Sequence, residues 1–134
     1  MSVPEEPTAG SVSRLECTAT IRGKGDAKVS IFRHLSPLTV NALLRELPLQ
    51  GRVTVQPAMA TMFTSLRVGV EKPRLSFERG DVAFLPSGGL LCFFLKPARS
   101  DRPLNLVGKV ESGAQLFDSV APGDVITLSK TAHE

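Results

Sequence analysis

The stretch Gly80-Asp81-Val82-Ala83-Phe84-Leu85-Pro86-Ser87-Gly88-Gly89-Leu90-Leu91-Cys92-Phe93-Phe94-Leu95 reads as two strands joined by a Pro-Ser-Gly-Gly turn, and it is the most apolar part of the chain. Pro86 has no amide hydrogen to give to a ladder, so the first strand ends there. Gly88-Gly89 supplies the positive φ that a tight reversal requires. Leu90 to Leu95 carries no polar side chain on either face, so it must be covered on both sides, as a central strand is. One set of its side chains is expected to fill a barrel interior, and the other to lie beneath a helix or an outer layer. An all-β core follows, whereas no catalytic motif names a reaction.

Toward the N-terminus, the apolar residues of Leu15-Glu16-Cys17-Thr18-Ala19-Thr20-Ile21-Arg22 fall on every second position, the signature of a strand with one buried face. Gly23-Lys24-Gly25-Asp26 is a turn cluster, and Lys28 to His34 returns with Val29 and Ile31 inward, which makes a hairpin. Pro37 to Leu47 is the one amphipathic helix, with Val40, Leu43, Leu44 and Leu47 at i, i+3, i+4 and i+7. Ser36 is placed as its N-cap, Pro37 takes the first helical position, and Pro48 stops it.

Beyond Gly51, Val53 to Val55 and Met59 to Val70 read as strands, the second with Phe63, Ser65 and Arg67 on one face and Met62, Thr64 and Leu66 on the other. Arg74 to Phe77, Leu104 to Val110 and Val125 to Leu128 add further strands, and Gly113 to Asp118 a short helical turn. Turns fall at Arg79-Gly80-Asp81 and Pro122-Gly123-Asp124, where Asp81 and Asp124 serve as turn caps rather than acids. About eight short strands, frequent Gly and Pro turns and one helix describe a closed β-barrel with the helix at one end.

The 134 residues suffice for one domain around a single core. Residues 1–13 are polar and proline-bearing and are expected to form a mobile tail, 14–130 the barrel, and 131–134 a short C-terminal tail. No basic and apolar leader and no run of 18 apolar residues occurs, so a cytoplasmic address and no membrane association are expected. Cys17 and Cys92 stand in apolar, strand-like contexts far from any CxxC, as buried free thiols do.

The net charge of +3 comes from basic residues interleaved with acids, which describes a solvated surface. No strand interleaves stacking aromatics with Lys and Arg, so nucleic acid is not an expected partner. His34 and His133, with two distant cysteines, lack metal-ligand spacing; neither a metal nor a cofactor is expected. No Gly-x-Ser-x-Gly, phosphate loop or dinucleotide fingerprint occurs.

Three stretches together resemble the cyclophilin-like barrel, specifically the small prokaryotic cyclophilin-like domain proteins of the Thermotoga type. Pro37-Leu38-Thr39 through Leu47-Pro48-Leu49-Gln50-Gly51 is similar to that branch's helix ending in Leu-Pro-Leu-x-Gly. Gly80-Asp81-Val82-Ala83-Phe84 with Leu91-Cys92-Phe93-Phe94 is similar to its Gly-Asp-[Ile/Val]-Ala-aromatic segment and the next strand. Asn105-Leu106-Val107-Gly108-Lys109-Val110 is similar to the segment that closes the barrel.

In isomerase-active cyclophilins, a Phe-His-Arg strand sets an arginine on the substrate proline, a Gln-Phe-Phe strand supplies a pocket phenylalanine, and a Trp and a His complete the groove. The resemblance implies that Phe94 lines the pocket and that Cys92 stands where the glutamine does. Phe63-Thr64-Ser65 sits at Phe-His-Arg, so Arg67 lies on the same strand face about 7 Å further along. No Trp occurs, and Leu104 or Asn105 falls near the histidine position. Two readings stay open. One is a binding module without efficient prolyl isomerase activity, whose groove, lined by Phe63, Arg67, Phe84, Cys92 and Phe94, takes a peptide or small molecule. The other is an active peptidyl-prolyl isomerase with Arg67 as a displaced catalytic cation and an apolar pocket for the proline ring.

Overall fold

A computed structural model describes residues 14–131. Its strands are β1 (Arg14–Ile21), β2 (Gly25–Phe32), β3 (Leu49–Val55), β4 (Met59–Phe63), β5 (Pro73–Phe77), β6 (Asp81–Leu85), β7 (Leu90–Phe94), β8 (Ala98–Ser112) and β9 (Val125–Lys130). A 3-10 turn at Arg33–Leu35 leads into helix α1 (Pro37–Glu46), and a short α2 (Ala114–Asp118) precedes β9. Neighbours run β2-β1-β9-β3-β4-β7-β6-β8, and β8 pairs with β2 to close a barrel of eight antiparallel strands. Closure removes the open edges that invite association. β5 stands outside the ring, paired with the first half of β8.

The two-faced apolar strand divides as expected. Leu91 and Phe93 point into the barrel, where the Phe93 ring stacks on Phe117 of α2 at a centroid distance of 4.8 Å. Cys92 and Phe94 point outward into a second cluster with Phe77, Ala83, Leu85, Leu104 and Leu106. The cover is therefore an outer layer of β5 and the start of β8, and the helix lies elsewhere. Val40, Ala42 and Leu43 of α1 join the interior cluster, with Cys17, Ala19, Ile21, Val29 and Ile31 of the first hairpin. Both cysteines are free thiols, and both are buried.

The two Gly-Asp turns behave alike: Asp81 Oδ2 accepts the Glu78 amide at 2.8 Å, and Asp124 Oδ2 accepts the Ala121 amide at 2.8 Å. Both aspartates cap turns, as their Gly-Asp context predicts.

Four local expectations need correction. Ser36 makes no side-chain cap; its hydroxyl donates instead to the buried Leu106 carbonyl of β8 at 2.9 Å. α1 ends at Glu46, one residue early, because Leu47 is extended ahead of Pro48. The strand read over Met59 to Val70 ends at Phe63, and the chain continues to Val70 without ladder pairing although its in-and-out alternation persists to Val68. β8 begins at Ala98 rather than Leu104, since residues 99–103 are polar or exposed and give the sequence no apolar alternation to mark a strand. Residues 1–13 and 132–134 lie outside the described residues, and Thr131 is tied to β1, its amide donating to the Glu16 carbonyl at 3.0 Å.

Candidate functional site

The unpaired segment after β4 forms one wall of an open groove of about 630 Å³, and the Pro86–Gly89 turn forms the other. Phe63 and Arg67 both line it, and the Phe63 ring is 69% exposed. Thr64 and Leu66 on the opposite face are buried, so the alternation that makes a strand amphipathic here aims Phe63, Ser65 and Arg67 outward.

The segment is held at both ends. At its start, the Thr64 amide and hydroxyl both donate to the Gly89 carbonyl, at 2.8 and 2.9 Å. A Cβ at Gly89 would sit 3.1 Å from the Thr64 carbonyl oxygen, and its φ of +66° is left-handed, so glycine answers both demands of this close approach. At its end, the buried Asn105 of β8 donates to the Gly69 carbonyl at 2.9 Å and to Thr39 Oγ1 at 3.0 Å, and accepts the Glu71 amide at 2.9 Å. Glu71 in turn accepts the amides of Leu38 and Thr39 in the first turn of α1. Burial alone would raise the Glu71 carboxyl, but the Thr39 hydroxyl, the two amides and the charge of Lys72 together hold it below its ordinary value. Asn105, near the expected histidine position, thus spends its side chain on anchoring.

Between these anchors, the main-chain N–H and C=O groups of Ser65, Arg67, Val68 and Val70 have no hydrogen-bond partner among the described residues. An extended backbone with unpaired groups, flanked by an exposed ring and a guanidinium, can receive another extended chain.

The other residues read as site candidates lie elsewhere. Phe84 is fully buried in the barrel interior. Phe94 is 4% exposed in the outer cluster and stacks on Phe77 with centroids 4.5 Å apart. Cys92 is beside it on the outer face, its thiol pushed up to about 12 by burial despite the opposing charge of Arg102. The structure therefore brings Phe63 and Arg67 together and does not bring Phe84, Cys92 or Phe94 to them. Sequence reasoning missed the Pro86–Gly89 wall by treating it as a connector. Its paired glycines were the signal, since bare backbone marks places where another chain comes close. Among the described residues, no group of three or more His, Cys, Asp or Glu side chains is placed to hold a metal ion. None of their helices is long and apolar enough to cross a membrane.

A closed antiparallel barrel with a helix packed into its core and an external groove defines the class. A family model described as Cyclophilin-like matches residues 17–129, and the chain belongs to that family. Among solved structures, the chain is similar to the solution structure of the hypothetical protein AF2241 from Archaeoglobus fulgidus. The TM-score is 0.73 and the identity 19%, over 89% of this chain and 96% of that one. At that identity the likeness speaks for the fold alone. No curated protein matches the chain.

Proposed function

We propose that this protein is a cyclophilin-like binding module that holds an extended peptide along Thr64 to Val70 and does not catalyse efficient prolyl isomerisation. The observation that carries the reading is the set of unpaired main-chain groups at Ser65, Arg67, Val68 and Val70. A strand laid there gains ladder hydrogen bonds, packs an apolar side chain on Phe63, and sets an acidic one against Arg67 four residues away. Isomerisation needs in addition an apolar pocket for the proline ring beside the cation. Phe94, to which the resemblance assigns that pocket, is instead covered by Phe77.

The test is an NMR titration of the labelled protein with the heptapeptide Ac-Ala-Phe-Ala-Thr-Ala-Glu-Ala-amide, together with a protease-coupled proline-peptide assay. Amide shifts confined to residues 63–70 and 86–89, an affinity that falls at least about fivefold in Arg67→Ala, and an isomerisation rate equal to buffer are expected. A turnover that falls in Arg67→Ala would establish the isomerase instead.

A further inference from the structure

We propose a second ligand site, for a small organic anion with a carboxylate or phosphate head on an apolar body, on the outer face of β4, β6 and β7. A groove of about 290 Å³ lies there, between that face and the first residues of β8. It shares no lining residue with the Phe63–Arg67 groove; the Pro86–Gly89 turn belongs to the first, and its flanks Leu85 and Leu90 to the second. The two sites meet only through Arg102, whose guanidinium donates to Ser87 of the turn.

The floor is mainly apolar, made by Leu85, Leu90, Leu104 and the buried Cys92, with Met59 at one side, and the Thr61 hydroxyl beside Cys92 is turned to the Thr54 carbonyl at 3.4 Å. The rim carries two guanidinium groups, Arg99 and Arg102, and one carboxylate, Asp101. Arg99 Nη1 donates to Ser76 Oγ of β5 at 2.8 Å, and Arg102 Nη1 donates to Ser87 Oγ of the turn at 3.4 Å. Hydroxyls on two different elements thus hold the guanidiniums without neutralising them. Among the described residues, neither arginine has a carboxylate within ion-pair distance, in contrast to Arg79, which is paired with Asp118. Each guanidinium has five donors in a planar fork, and each spends one on a serine. The rest are free for an oxyanion, and the two cations exceed the single Asp101 charge.

The volume lies at the small end of ligand sites, too small for a folded segment and suited to a short apolar body. An apolar floor under an unneutralised cationic rim selects a molecule that is apolar at one end and anionic at the other. Either charge alone or apolarity alone would leave half of the groove unmatched.

Calorimetry on the full chain at low ionic strength, with octanoate, octyl phosphate and octanol as probes, tests this. The three share one apolar body, so the comparison isolates the head group and identifies which anion the site takes. At least one anion is expected to bind tenfold or more tightly than octanol. The Arg99→Gln/Arg102→Gln variant is expected to lose at least tenfold for that anion, and Arg99→Gln alone, which leaves the Arg102–Ser87 bond in place, to bind the heptapeptide as before. Octanol binding as tightly as both anions, no binding of either anion, or full anion affinity in the double variant would each overturn the proposal. Should the variant fail to fold, amide-shift mapping on the unaltered protein decides: shifts at Leu85, Leu90 and Arg99 to Arg102 support the site, and shifts elsewhere overturn it.

Discussion

Glu71 caps α1 from far along the chain: its Oε1 accepts both the amide and the hydroxyl of Thr39, at 2.8 and 2.7 Å, while its Oε2 accepts the Leu38 amide at 2.8 Å. A carboxylate at a helix N-terminus satisfies orphan donors and opposes the positive end of the helix dipole. The same residue follows the unpaired groove segment, so one side chain ties the groove wall to the helix that packs into the barrel core.

Replacing Glu71 by Gln is expected to cost about 1 kcal/mol at neutral pH, since the shape stays and the charge goes. The folded carboxyl lies below its ordinary value of 4.5, so its contribution is fully present above that value and is lost as pH falls through the folded one. The difference in urea stability between the parent and Glu71→Gln should therefore shrink between pH 7 and pH 3. A constant difference would show that the charge plays no part. Ser36→Ala is expected to cost about 1 kcal/mol as well, through the lost buried hydrogen bond to Leu106, with no such pH dependence.

Phe93 and Phe94 are expected to be equally costly to truncate. They are 1% and 4% exposed and each is stacked on a second ring, Phe93 inside the barrel and Phe94 outside it. Each change to Ala should remove about 3 to 5 kcal/mol in urea unfolding. Were Phe94 to line an open pocket, as the resemblance implies, it would be the cheaper of the two, but the Phe77 ring stacks over it. A Phe94→Ala loss under about 2 kcal/mol would show an open pocket there.

Gly108 sits on the seam that closes the barrel, opposite Ile31 of β2. Any Cβ at this position overlaps the Ser30 carbonyl oxygen, which is backbone and cannot swing aside. Gly108→Ala is expected to cost at least about 2 kcal/mol, since overpacking here forces two paired strands apart. Thermal unfolding of the variant checks it, and an unchanged midpoint would mean that the seam is loose.

Neither thiol is expected to react in the native protein at pH 8. Burial pushes Cys17 up to about 11, against the opposing charge of Lys130, and Cys92 up to about 12, against that of Arg102. The thiolate is the nucleophile, so both should resist a chromogenic disulfide reagent until urea unfolds the chain and then titrate together. Early release of one equivalent under native conditions would mark a local opening.

Much of the barrel was legible in local pattern. Leu90 to Phe94 is apolar on both faces, and a strand so covered can only be central. Cys17, Ala19 and Ile21 alternate, and Val40 and Leu43 keep helical spacing, because side-chain direction repeats with backbone geometry over a few residues. Tertiary structure alone decided what covers Phe94, what caps α1 and which main-chain groups are left unpaired. Phe77 reaches Phe94, and Glu71 reaches Thr39, across long stretches of sequence that hold no local record of the meeting. Residues 63–68 alternate like any strand, yet past Phe63 no strand ladder continues along them, since alternation reports which face is buried and not whether the edge is occupied. Arg99 and Arg102 read as ordinary surface charges until β8 folds them over an apolar floor. Periodicity is written in each short segment, whereas a groove exists only where segments distant in the chain are brought side by side.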